Sequence, residues 1–321
     1  MATSTLRRGG PDDDFLLQWT KLKSNVTLQE IDDICRHSMS TYHPSPSSPA
    51  PLSLEDTLTV IPFGDQHWGQ LCWAPEVGEN WDLDISAHSL TRATRSLISR
   101  APPSDHCVLL WLGDIMHAND RTFETPRGKH KLDVDGRWVK AYDYTCQYIV
   151  DTVMQALEHF NTVGVRLLPG NHDPEAALVL ARHAAARFHG EKRVKIDTNP
   201  SIFWHMRFGQ VMLAATHGHE TKLTAMPSVM SAYWPKDWGA TTYRYGFLGH
   251  LHARRLMAQE GGGAVCEIVS VPMPPDAYAY NNGWSSLRQM QAVTYDRTRG
   301  EIGRITEPLG DCRVARRPRK K

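Results

Sequence analysis

Short segments far apart in the chain supply aspartate, histidine and a single asparagine in a recurring pattern. They are Asp65-Gln66-His67, Gly113-Asp114-Ile115-Met116-His117, Gly170-Asn171-His172-Asp173, His217-Gly218-His219 and Gly249-His250-Leu251-His252. Carboxylate, imidazole and amide oxygen, with no thiolate among them, suit manganese, iron or zinc rather than a closed structural zinc. Two divalent ions sharing a carboxylate are a means of attacking phosphate esters.

The residue types assign roles within that pattern. Asp65 and His67 lie two apart, so on extended backbone both side chains share a face and reach one ion. Asp114 follows a glycine and can bridge two cations through its two oxygens. Asn171 offers a neutral oxygen that keeps the site from becoming too anionic. His172 is expected to face the phosphate, stabilising charge or protonating the leaving oxygen. Asp173 is expected to orient His172 and raise its basicity. His217 is preferred to His219 as a ligand because it comes first after its strand. His250 and His252 repeat the two-residue spacing with two imidazoles.

Something must hold these segments together, and each follows an apolar run that reads as a β-strand. Thr57 to Pro62 leads to Asp65, and Cys107 to Leu112 leads to Asp114. Val165 to Leu168 leads to Asn171, Val211 to Thr216 to His217, and Tyr243 to Leu248 to His250. Chemistry at successive strand ends is the habit of layered α/β proteins. Ser86 to Arg100 and Tyr144 to Phe160 carry helical apolar spacing, and Pro174 opens an alanine-rich helix. After residue 193 the strands follow more closely, which predicts a mostly antiparallel second sheet with hairpins such as Phe208-Gly209-Gln210.

The 321 residues suffice for one large domain or two modest ones, and a net charge of +1 demands neither nucleic acid nor a membrane. Residues 1–43 read as a short helical segment, with helices expected at 15–19 and 28–35. Residues 44–51 read as a Pro/Ser-rich linker, 52–311 as the catalytic domain and 312–321 as a basic disordered tail. The six cysteines show no paired spacing, and Cys107 and Cys266 lie in apolar runs as buried thiols. With no hydrophobic leader and no run near the roughly 20 apolar residues that span a bilayer, the expectation is a cytoplasmic protein without a membrane.

In their order, these segments resemble the calcineurin-like metallophosphoesterase superfamily, read as D-x-H, G-D, G-N-H-D/E, H and G-H-x-H. The match covers residues 57 to about 310. The resemblance implies a four-layer α/β/β/α fold with two packed mixed sheets. It places Asp65, His67, Asp114 and His252 on one metal, and Asp114, Asn171, His217 and His250 on the other. A metal-bridging hydroxide would attack phosphorus with help from His172. Manganese is the first expectation for both ions, with iron or zinc as alternatives.

One departure narrows the resemblance. Many members carry Asp or Asn where this chain has His117. A histidine there resembles the DNA-repair nuclease branch, in which it touches substrate phosphate. Residues 118–141 form a long loop leaving the bridging motif, and Arg127, Lys129 and Arg137 are its candidate substrate contacts. With Lys222, Trp234, Lys236, Trp238 and Arg244 this loop could hold a phosphate backbone and stack bases. This loop, followed by Gly170-Asn171-His172-Asp173 and Pro235-Lys236-Asp237-Trp238-Gly239, looks like phage and prophage proteins often labelled exonucleases or phosphoesterases. The leading expectation is therefore a DNA nuclease with nucleic acid as its partner. The alternatives are a small-molecule phosphatase or nucleotide phosphodiesterase, and a non-catalytic nucleic-acid-binding protein.

Overall fold

The computed structural model describes residues 54–252, 255–257, 262–284 and 286–309, together with Thr3–Arg7, Leu16–Thr20 and Gln29. Strand β1 (Thr3–Arg7) pairs antiparallel with β2 (Leu16–Thr20). The helix expected at 15–19 is therefore a strand. A run of 5 residues is too short for periodicity to separate helix from strand. Apart from Gln29, the helix expected at 28–35 lies outside the described residues, as do the 44–51 linker and the 312–321 tail.

The first main sheet begins with β3 (Leu54–Phe63), β4 (Ser104–Trp111), β5 (Thr162–Leu167) and β6 (Val194–Asp197), all parallel. Parallel neighbours need a crossover, and helices supply it. Leu83–Arg100 joins β3 to β4, Trp138–His159 joins β4 to β5, and Pro174–Arg187 joins β5 to β6. The second sheet holds β7 (Phe203–Phe208), β8 (Val211–Thr216), β9 (Tyr243–Leu248), β10 (Arg255–Met257) and β11 (Val265–Ile268). Finally β12 (Gln289–Asp296) and β13 (Gly300–Pro308) return to the first sheet, β12 pairing antiparallel with β3.

The second sheet corrects the antiparallel expectation. Its edges are antiparallel, β7 with β8 and β10 with β11, but β8, β9 and β11 run parallel at its centre. The stretch between β8 and β9 carries helices Met226–Tyr233 and Pro235–Gly239, so it is a crossover rather than a hairpin. The β7–β8 hairpin is as expected. Gly209 sits at φ 60° in its two-residue turn, which suits the first position of a type II′ turn.

Alternation along each strand builds the layers. Leu58, Val60, Val108 and Leu110 face Val211, Leu213, Ala215 and Phe247 between the sheets. Their neighbours Ile61, Phe63, Leu109 and Trp111 face Leu90, Leu97, Ile149 and Val153 of the helices. On the far side, Met212, Ala214 and Cys266 pack against Met226 and Met230. The order is thus helix, sheet, sheet, helix, as expected. Cys107 and Cys266 are buried free thiols. No helix among the described residues is long and apolar enough to cross a membrane.

Candidate metal centre

Every candidate ligand but those of the last motif's second half stands just past the C-terminal end of a strand. Asp65 follows β3, Asp114 follows β4, Asn171 follows β5, His217 follows β8 and His250 follows β9. Because β3, β4 and β5 are parallel, as are β8 and β9, the segments gather at one edge of the sandwich.

Two groups of ligand atoms result. Asp65, His67 and His252 form one, and Asp114, His217 and His250 the other, with the atoms of each group within 4.8 Å of one another. In the first, His252 Nε2 lies 3.2 Å from Asp65 Oδ2 and 3.2 Å from His67 Nε2. In the second, His217 Nε2 lies 3.2 Å from Asp114 Oδ2 and 2.9 Å from Asn171 Oδ1. His219 stays outside both groups.

Asp114 Oδ2 also lies 3.9 Å from His67 Nε2. A single oxygen therefore faces both groups. Its companion Oδ1 accepts the His172 backbone N–H at 2.7 Å. The two-oxygen bridge read from sequence is corrected to one oxygen, because the other is committed to anchoring the Gly170–Asp173 turn.

The donor set fits two divalent cations. Ring nitrogens of His67 and His252 converge beside carboxylates, an arrangement that calls for a cation between them. Asp65, His67, Asp114 and His217 are at most 1% exposed, so water cannot neutralise them. Burial, followed by the neighbouring His172, holds His67 well below the usual imidazole range, leaving the neutral form that ligates metals. For His217 burial opposes the charge, but Asp114 and Asp65 outweigh it and raise the group to about 10. That proton marks a position of strong negative potential, where a cation fits.

Backbone strain is concentrated here. His67 (φ 44°), Asp114 (φ 47°), His250 (φ 70°) and His252 (φ 48°) all adopt left-handed backbone. Each such residue costs on the order of 1–3 kcal/mol unless its surroundings over-determine it, and here they do. Gln66 N–H and His67 N–H both donate to the Asp114 carbonyl, at 3.1 and 3.0 Å. His250 N–H donates to Asp65 Oδ2 at 2.9 Å. Gln66 is pinned by Tyr148 and by the indole N–H groups of Trp68 and Trp111. Glycine is required where these loops cross, since a Cβ on Gly170 would strike Asp114 Oδ1 and one on Gly249 would strike Asp65 Oδ1.

His117 is buried, and its Nδ1 faces His67 Nδ1 at 3.1 Å. Its Nε2 is buried with no hydrogen-bond partner. His172 places Nδ1 2.8 Å from the His117 carbonyl, so that nitrogen carries the proton. Ligand atoms of His67, His117 and His172 also lie within 4.8 Å of one another, but His67 belongs to the first group, so this trio is not an independent site.

Asp173 corrects its expected role. Its Oδ1 accepts the N–H groups of Asp114 and Gly170, and its Oδ2 those of Ile115 and Met116, at 2.8 to 3.1 Å. It holds the second motif's backbone rather than the His172 ring. The physical reason is the strand-end turn, whose bare N–H groups are buried and must be satisfied. Burial and then Asp114 push Asp173 up to about 7, against the N–H donors that favour the carboxylate.

The loop after Asp114 is shorter than expected, since its helix already begins at Trp138. Its course is tied down. Leu71 N–H donates to the Asp133 carbonyl, Asp135 N–H to the Gly69 carbonyl, and Trp138 Nε1 to the Ala118 carbonyl. Asn119 Oδ1 caps the next helix by accepting from Glu175 and Ala176 N–H. Arg127, Lys129 and Arg137 are exposed, and Arg127 pairs with Glu220 at 2.6 Å.

Of the second proposed set of substrate contacts, Lys222 and Lys236 are exposed, whereas Trp234, Trp238 and Arg244 are engaged in packing. Trp234 and Trp238 pack on the outer face of the second sheet with Met226 and Met230. Arg244 stacks on Trp238 and donates to the carbonyls of Trp238, Thr241 and Gly263. These residues serve the outer layer. Tyr233 beside Trp234 is exposed on this outer layer, and the other exposed aromatics among the described residues are Trp73, Tyr278, Tyr280 and Trp284. The Tyr278-Ala279-Tyr280 spacing followed by Trp284 is the sequence signal of that exposed cluster.

No protein-family model and no curated protein matches the chain. Solved structures similar to it include a conserved uncharacterized protein of Streptococcus pneumoniae TIGR4, described as a predicted phosphoesterase. That match has 12% identity and a TM-score of 0.32, over 78% of this chain and 98% of the other. A structure of PhoD matches with 9% identity and a TM-score of 0.38, over 83% of this chain and 70% of the other.

Proposed function

We propose that the chain is a phosphodiesterase dependent on two divalent metal ions, manganese first among the candidates, with nucleic acid as its substrate. The observation that carries this reading is Asp114 Oδ2, which faces His67 on one side and His217 on the other. A shared carboxylate oxygen between two Asp/His groups is what a two-ion centre needs. Such ions supply polarisation of the phosphoryl oxygens and an activated water at neutral pH.

The chain's own residues do the rest. Asp65, His67 and His252 would hold one ion, and Asn171, His217 and His250 the other, with Asp114 between them. His172 keeps its Nδ1 proton on the His117 carbonyl, so it would give a proton to a leaving oxygen only from the doubly protonated ring, through Nε2. Asp173 fixes the loop that carries Asp114. The exposed cations of the 118–137 loop support the nucleic-acid form of the reading, since positive charge spread along a loop suits an extended polyanion.

The test compares bis-p-nitrophenyl phosphate with p-nitrophenyl phosphate after manganese loading, then labelled DNA. Faster turnover of the diester, followed by DNA cleavage, is expected. Preference for the monoester would replace this reading with a small-molecule phosphatase. DNA binding without turnover of any ester would replace it with a non-catalytic binding protein.

A further inference from the structure

Three exposed rings stand on segments that are both tied to the first metal motif. Tyr278 is 61% exposed and Trp284 55%. They meet edge to face, with centroids 5.6 Å apart at 82°. His130, exposed at the turn of the 118–137 loop, faces Tyr278 with centroids 6.3 Å apart and planes 29° from parallel. Large exposed rings in one patch mark a binding surface.

The mounting is firm. Asp276 caps the helix Ala277–Asn281 by accepting Ala279 N–H at 2.8 Å, and Trp284 N–H returns to the Ala279 carbonyl at 3.0 Å. On the other side, Thr125 and His130 exchange backbone and side-chain bonds that close the loop's turn. Both segments converge on the residues after His67. Gln70 N–H donates to the His67 carbonyl, and Gln70 Nε2 donates to the Pro274 carbonyl at 2.9 Å. Leu71 N–H takes the Asp133 carbonyl of the loop. The segments that carry the rings are therefore both hydrogen-bonded to the stretch that follows the candidate ligand His67.

We propose that Tyr278, Trp284 and His130 form a stacking platform for an unpaired nucleobase next to the phosphodiester held at Asp114. This rests on the phosphodiesterase reading above and names its substrate as a strand with unpaired bases. The Tyr278 and His130 rings lie 29° from parallel with centroids 6.3 Å apart and both are exposed, so a planar base can stack on either ring. Lys129, exposed beside His130, adds positive charge for the backbone, the usual companion of such platforms. A duplex end presents its terminal bases stacked and paired, so the platform favours single-stranded ends or overhangs.

The test measures binding without turnover, in EDTA, by fluorescence anisotropy. The probes are a labelled short oligothymidylate and an abasic phosphodiester of equal length. Tyr278→Ala and Trp284→Ala should each weaken oligothymidylate binding by about tenfold and leave abasic binding unchanged. Tyr278→Phe, which keeps the ring, should bind as the parent does. Equal binding of both probes by the parent, or no loss in either alanine variant, would overturn the platform even if the parent cleaves diesters. A change in sedimentation without a change in oligothymidylate binding would also overturn it, in favour of a protein contact. Loss of oligothymidylate binding alone, in a protein that cleaves no ester, would uphold the platform and defeat the catalytic reading.

Discussion

His67 and His117 face one another through their Nδ1 atoms at 3.1 Å, deep in the site. One proton serves that contact. If His67 turns the lone pair of Nε2 toward Asp65 and His252, its proton lies on Nδ1 and His117 Nδ1 accepts it. His117 then carries its own proton on Nε2, the buried atom that has no partner in the protein. The pair thus orients a metal ligand and presents a donor at once. Removing the outer partner of a ligating histidine costs about 10–100-fold in metal affinity or activity. His117→Ala should lower metal-dependent diester turnover by that amount, and parental turnover would show that the contact has no such role.

His172 offers a different outcome, because it gives its Nδ1 to a carbonyl and not to a ligand. His172→Ala should reduce kcat by about 10²–10⁴-fold, the range for a lost proton donor, while elemental analysis finds the parental metal content. Loss of metal together with rate would make His172 a ligand instead.

Asp173 should matter for stability more than for proton transfer. In Asp173→Asn one oxygen becomes an NH₂ group, which cannot accept. Two of the four buried N–H groups now bonded to the carboxylate would lose their acceptor. A buried donor left unsatisfied costs about 1–3 kcal/mol. Urea melts should show a loss of at least that order, and a parental midpoint would contradict the assignment.

Metal-free protein should lose stability in mild acid. Burial, the leading cause, holds both His67 and His117 well below 6.5 in the folded chain. Unfolded, they titrate near 6.5, so the unfolded chain binds more protons and stability falls as pH drops through that value. Asp173 acts with the opposite sign, because its folded value near 7 exceeds the unfolded 3.8. One carboxyl offsets one of the two histidines. His217, raised to about 10, contributes in full below 6.5 and loses its contribution only toward alkaline pH. Thermal melts in EDTA should show a lower Tm at pH 5 than at pH 7. A Tm that is flat or rises toward pH 5 would contradict these environments.

The ligand segments were legible because each is short, chemically distinctive and set directly after an apolar run. The layer order was legible for the same reason, since β3, β4 and β8 alternate or run fully apolar. The direction of strands in the second sheet was not. Strand spacing alone does not reveal that Met226–Tyr233 and Pro235–Gly239 turn the β8–β9 connection into a crossover. The partners of Asp173 and the single-oxygen position of Asp114 were also hidden, because both depend on backbone N–H groups that every sequence has. The left-handed backbone of His67, Asp114, His250 and His252 follows from loop crossings between distant segments. Trp234 and Trp238 misled because an aromatic on an outer layer and one on an open rim look alike in sequence.

The most direct test of the shared-carboxylate centre is the number of manganese ions bound per chain, by equilibrium dialysis with elemental analysis, in the parent and in Asp114→Ala. The account predicts about two in the parent, as a two-ion site requires, and loss of tight binding at both positions in the variant. One ion or none in the parent, or an unchanged count in Asp114→Ala, would contradict it.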